Sequence, residues 1–164
     1  APPRSRADRL LNWPLLARAY LFLGPMQAAA AMSAYWFVLR NGGWHFGEKL
    51  AAHDPLYLQA TTACLSAIVV MQIANVFLCR SEHQPLLARS LMSNKLILAG
   101  IATEILLITL IVYTPWGHAL FGTASIALVV WLFIIPFALG MLALEELRKW
   151  LVRACPNRPT TTLI

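Results

Sequence analysis

Residues 95–145 read KLILAGIATEILLITLIVYTPWGHALFGTASIALVVWLFIIPFALGMLALE, and between the first lysine and the last glutamate the lone formal charge is Glu104. A surface helix of a soluble domain needs a polar face, and this stretch has none to offer. A bilayer accepts it, because its hydrocarbon core takes about 20 consecutive apolar residues per helix. The run is long enough for two crossings, with Thr114-Pro115-Trp116-Gly117 as the turn between them. Two more charge-poor windows lie upstream, between Arg18 and Arg40 and between Asp54 and Arg80. The chain therefore predicts an all-α membrane protein with four transmembrane helices, at about 15–39, 56–79, 94–114 and 124–147.

Composition agrees. Of 164 residues, 59% are apolar and 12% charged, where a soluble domain carries about 25% charged residues. Mean hydropathy is +0.65. A disordered tail and an ordinary cytosolic enzyme are both excluded. The net charge of +6 would suit nucleic acid, but the charges fall between apolar runs and fit topology and anionic lipid better. Three cysteines, Cys64, Cys79 and Cys155, form no CxxC pair and are odd in number, so neither a disulfide framework nor a zinc site is expected. The first apolar run is too long for a signal peptide. Because the sequence starts at Ala1 rather than Met, a processed chain or a piece of a longer one is expected.

Basic residues set the expected topology. Arg4, Arg6, Arg9 and Arg18 precede the first span, Arg80, Arg89 and Lys95 join the second to the third, and Arg148, Lys149, Arg153 and Arg158 follow the fourth. Those segments share one side and hold 11 of the 13 basic residues, leaving Arg40 and Lys49 on the other. By the positive-inside rule both termini are expected to be cytoplasmic. Residues 1–14 then form a cytoplasmic link, 15–150 a four-helix transmembrane domain, and 151–164 a cytoplasmic tail. Tyr35, Trp36, Trp44, Tyr57, Tyr113 and Trp116 fall near the outer interface, and Trp13 and Trp150 near the inner one.

Polar groups inside a membrane are costly, so each is a functional candidate. Gln72 and Asn75 stand three apart in the second span and share a helical face. Their amide oxygens suit a partly dehydrated hard cation. The alternative is that they hydrogen-bond a neighbouring helix as packing glue. Glu104 is the one carboxylate deep in a span, as a structural carboxyl, a snorkelling group or a partner for an ion. Gly24-Pro25-Met26-Gln27-Ala28-Ala29-Ala30-Ala31 combines a kink signal with small residues that let another helix approach. His45, His53, His83 and His118 have no partner at ligand spacing. Phosphate loops, nucleophile elbows and HExxH are absent, so the chain carries no catalytic motif of its own.

The order of motifs resembles the C-terminal membrane region, the last four helices, of type II P-type cation-transporting ATPases. Val70-Met71-Gln72-Ile73-Ala74-Asn75-Val76-Phe77 with Cys79-Arg80-Ser81-Glu82 is similar to their eighth helix and the loop after it. Pro2-Pro3-Arg4 looks like the cytoplasmic link after the sixth helix, and Asn94-Lys95 opens the ninth. Tyr113-Thr114-Pro115, Phe121-Gly122-Thr123 and Glu145-Glu146-Leu147-Arg148-Lys149-Trp150 match the outer loop and closing cytoplasmic motif.

In similar calcium pumps the position of Gln72 is an acidic ion ligand. In sodium/potassium pumps it is a glutamine, and the position of Asn75 is acidic. Here neither is acidic, and a neutral amide offers a dipole where a carboxylate offers a full charge. The resemblance assigns Glu104 no ligand role. It does imply a cation pump whose phosphorylated aspartate (Asp-Lys-Thr-Gly-Thr), dephosphorylation motif (Thr-Gly-Glu-Ser), ATP and Mg2+ all lie outside these residues. This chain would brace the transport helices and wall the cation site, with residues 24–31 packed against the fifth helix. Its implied partners are the bilayer, the remaining helices and cytoplasmic domains of the pump, and the transported cation, without nucleic acid. Its implied location is a multi-pass protein of the plasma membrane. The alternatives are a stand-alone four-span scaffold or regulator, or a small ion transporter using Gln72, Asn75 and Glu104.

Overall fold

The structure, a computed structural model, describes residues 17–79 and 95–154 together with Trp13. The expected link before the first span, the loop residues Arg80, Ser81 and Glu82, and the tail after Ala154 lie outside the described residues. Four helices are long and apolar enough to cross a membrane: Ala19–Asn41, Pro55–Leu78, Lys95–Tyr113 and Leu128–Leu151. The protein is an all-α, multi-pass membrane protein, with no strand among the described residues.

The first span is one continuous helix wound in two ways. A π-wound stretch, Arg18–Leu23, runs directly into helix α1, Gly24–Asn41. Pro25 explains the change, because it lacks the N–H that a regular helix would offer to the carbonyl four residues earlier. The chain loosens ahead of it, and the Gly24 N–H reaches back five residues to the Ala19 oxygen. The Gly-Pro signal thus produces a change of winding rather than a break.

Helix α2, Pro55–Cys79, follows a loop pinned at both ends. At the α1 end the Gly42 N–H bonds the Val38 oxygen at 3.0 Å and the Trp44 N–H the Leu39 oxygen at 3.1 Å. A side chain on Gly42 would run into the Leu56 side chain, which would have to shift to admit it. At the other end the Asp54 carboxylate accepts from the Leu56 N–H at 2.8 Å, and Pro55 takes the first helical position, which needs no N–H.

The two helices meet along an alanine seam. Ala30, Ala31 and Ala34 of α1 are buried, as are Ala60, Ala63, Ala67 and Ala74 of α2. Within lipid no hydrophobic gain drives helices together, so association rests on close van der Waals contact, which small side chains permit. Met71, Leu78 and Val38 fill the ends of the seam.

Helix α3, Lys95–Tyr113, joins the bundle only toward its end, where Ile108 and Val112 are buried. The expected turn at residues 114–117 is instead the start of a short helix, α4, Pro115–Phe121. Thr114 caps it by accepting from the Gly117 N–H at 3.1 Å, and Gly122 ends it in the left-handed conformation, with φ of 60°. Gly117 sits so close to the Leu110 and Ile111 backbone that no other residue fits. An extended segment then leads to helix α5, Leu128–Ala154, which begins four residues later than the expected 124 and runs on through the basic cluster. The later start has a cause: the Thr123 hydroxyl donates to the Ile111 oxygen at 2.8 Å and the Ala124 N–H donates to Thr62 Oγ1 at 2.9 Å, bonds that hold the segment extended. Helix α5 packs on α1 and α2 through Ile134, Ala138 and Met141. Pro136 is accommodated within it.

Candidate functional site

Most hydroxyls within the spans are satisfied by their own helix. Thr61 returns its hydroxyl to the Tyr57 oxygen at 3.1 Å, Thr62 to Leu58 at 2.6 Å, Thr103 to Ala99 at 2.9 Å, and Thr109 to Ile105 at 2.7 Å. This i−4 bonding is the usual solution for Ser and Thr in a helix without water.

Gln72 behaves differently. On α2 the core face is Ala60, Ala63, Ala67, Met71, Ala74 and Leu78, and the face turned away carries Ile68, Gln72 and Val76 at successive i, i+4 positions, all exposed. Asn75, half-buried, borders that open face. The shared face expected from the three-residue spacing is what the helix gives. Among the described residues Gln72 has no hydrogen-bond partner. A glutamine amide in the apolar part of a span, without water, is costly unless something else meets it.

Glu104 lies half-buried in a cleft of about 340 Å³ between α2 and α3, lined also by Leu65, Val69, Gly100 and Leu107. Val69 precedes Gln72 by less than one turn of α2, so the cleft opens next to the amide face. The structure thus places Gln72 and Asn75 on one helix side and Glu104 on the neighbouring helix beside it. Among the described residues no three His, Cys, Asp or Glu side chains converge to hold a metal ion. What the arrangement offers is the unmet amide of Gln72 and one carboxylate, beside an Asn75 that already has an interaction of its own. A hard cation takes six or more oxygens, so these groups could complete a coordination shell but not build one.

Residues 24–31 divide their work. Ala30 and Ala31 are spent on the α2 seam, while Gly24, Pro25, Ala28 and Ala29 remain exposed.

Two features escaped the sequence reading, and the first is at the basic end of α5. Glu145 is fully buried, and Arg148 Nη2 donates to its Oε1 at 2.6 Å. Lys149 is also buried, with its Nζ 3.0 Å from Glu146 Oε1. The signal was present as two interleaved i, i+3 pairs in Glu145-Glu146-Leu147-Arg148-Lys149, which reads equally well as a solvated face. Ser66 is the other: its hydroxyl is buried and unpartnered among the described residues, one turn along from Thr62.

Comparison with known proteins agrees with this architecture. The family described as "Cation transporting ATPase, C-terminus" matches residues 1–151. The potassium-transporting ATPase alpha chain 2 of Oryctolagus cuniculus is 25% identical over 95% of this chain, which covers 16% of that protein. The sodium/potassium-transporting ATPase subunit alpha-4 of Homo sapiens is 25% identical over 95% of this chain and 17% of its own length. Subunit alpha-2 of Gallus gallus is 23% identical over 95% and 18%. The chain therefore spans about a sixth to a fifth of the length of these relatives. With four spanning helices in the matched region, the chain belongs to the cation-transporting ATPase family, as a C-terminal membrane region of the type II P-type ATPases.

Proposed function

We propose that this chain is the part of an ATP-driven cation pump that braces the transport helices and supplies one wall of the cation site, with Gln72 and Asn75 as its ligands. One observation carries the reading: in helices whose threonines satisfy themselves, Gln72 stands in a span with its amide unmet by any described residue. A partner that brings the missing hydrogen bonds or a cation has to come from outside the four helices. The exposed face formed by Ile68, Gln72 and Val76 suits a transport helix laid against α2. Relatives named for potassium or sodium/potassium transport support a monovalent cation, for which a neutral amide and carbonyl set is adequate.

In this reading both termini face the cytoplasm, with the basic ends of α3 and α5 fixing depth, and the membrane is the plasma membrane. ATP and Mg2+ act on cytoplasmic domains elsewhere in the pump. Glu104 stays a membrane carboxyl beside the site.

The test uses the full-length protein. Gln72→Ala should raise the cation concentration for half-maximal ATPase activity by about tenfold, the loss expected when one charge-assisted contact is removed. Gln59→Ala, at the far end of the same helix, should leave it unchanged. Equal cation affinities for the two variants would remove Gln72 from the site. Cation flux from the purified 164-residue chain alone in liposomes would instead establish an independent transporter.

A further inference from the structure

A second cleft lies elsewhere, on the outer flank of α1 beside α5. It has a volume of about 710 Å³ and is lined by Ala29, Met32, Trp36, Arg40, Asn41 and Phe133. We propose that this groove binds one anionic glycerophospholipid, its phosphate on Arg40 and an acyl chain along Met32 and Ala29.

Three features support that occupant. The first is polarity. Arg40 and Asn41 form one end of the groove, and everything below them is apolar apart from Ser33. The floor is rigid, because Phe37 stacks on Phe133 at 4.1 Å between ring centroids, with 11° between planes. Trp36 is steadied by an edge contact with Trp44 at 5.5 Å.

The second is charge. Arg40 is exposed, with no ion-pair partner among the described residues. The two carboxylates of the following loop are committed elsewhere: Glu48 accepts from the His45 N–H at 3.2 Å and Asp54 from the Leu56 N–H at 2.8 Å. A guanidinium at the end of a span, free of carboxylates, is matched by a phosphodiester, which it can bind through two parallel N–H donors.

The third is length. From Ala29 to Asn41 the helix rises about 18 Å, close to one leaflet of a hydrocarbon core about 30 Å thick. A transmembrane helix from a partner would need a groove along the whole span. This one stops halfway, as a single lipid would require. The site depends on the membrane alone and stands apart from the cation reading.

The full-length protein, purified in detergent with mixed phosphatidylcholine and phosphatidylglycerol, is measured by native mass spectrometry. One retained phosphatidylglycerol per chain is expected, and Arg40→Gln should weaken its retention by about tenfold. Ser33→Trp, which fills the groove, should abolish it without touching Arg40. Lys49→Gln, a basic residue on the loop after α1, should leave it unchanged. Undiminished retention in Arg40→Gln, or an equal fall in Lys49→Gln, overturns the site. A photo-crosslinking residue at Met32, activated in native membranes, should capture lipid. Capture of a polypeptide there, whether a partner helix or a second copy, also overturns it, and this arm keeps Arg40 intact.

Discussion

Thr62 shows how much a single hydroxyl can do in this fold. It is buried on α2, donates to Leu58, and accepts the Ala124 N–H from a segment 62 residues away. That second bond is the polar link between α2 and the connection that leads into α5. Replacing Thr62 by valine keeps the volume but leaves the Ala124 N–H without its acceptor, at a cost of about 1–3 kcal/mol. Thr62→Val should therefore lower the thermal midpoint of the detergent-solubilised protein, and Thr62→Ser should retain most of it. Equal midpoints for the two variants would mean the long-range bond contributes nothing. Threonine in a span predicts only a bond to its own helix, so nothing in the sequence around residue 62 pointed to this role. By contrast, the shared helical side of Gln72 and Asn75 was legible from spacing alone, because residues three apart on a helix always share a side. What spacing could not decide was which side, and that depends on the alanine seam taking the opposite face. The burial of Glu145 was hidden for a related reason: charge patterns report pairing within a helix but not what packs over it.

At the scale of elements, hydropathy located the four spans because lipid imposes one strong requirement on any spanning segment, an apolar helix of sufficient length. It located ends less well. Helix α5 starts after residues 123 and 124 have been drawn away by Ile111 and Thr62, and it continues past the expected end at 147 because a helix satisfies its own backbone in water as readily as in lipid. The winding of the first span was signalled by Gly24-Pro25 without its form being fixed. Pro25 removes one helical N–H, and the chain answers with i−5 bonding over Arg18–Leu23, which keeps Ala17 and Leu23 buried. Restoring the donor with Pro25→Ala should return this stretch to regular winding. Each residue of register recovered turns the preceding segment by about 100° about the axis, and Leu23 leaves the core. A cysteine at position 23 should then react faster with a membrane-permeant maleimide in the Pro25→Ala background than with Pro25 present. Unchanged reactivity would show that packing, rather than the missing N–H, holds the π winding.

At the scale of the molecule, the four spans form a tight pair with a looser pair set against it. Helices α1 and α2 share a seam of seven buried alanines. Helix α5 docks on that pair through the Phe37–Phe133 stack and the Ala138 and Met141 contacts. Helix α3 is held mainly where the Tyr113 hydroxyl donates to the Ile126 oxygen at 3.1 Å and receives the Trp131 indole N–H at 2.8 Å. That order suits a domain whose α1–α2 pair forms first and then serves as a platform, since small-residue packing needs no further partner. If so, the chain should survive being cut in two. Residues 1–87 and 88–164, co-expressed as separate pieces, should copurify in detergent, because α5 meets both helices of the first piece. Phe133→Ala removes one ring of a stacked pair, a contribution of about 0.5–1.5 kcal/mol beyond its area, and should reduce the copurified fraction without unfolding either piece. Ala127→Val, beside the α5 start and outside both core clusters, should not. Full recovery with Phe133→Ala would place the docking energy in the α4–α5 connection instead, and the Thr62→Val variant would then become the one that separates the halves.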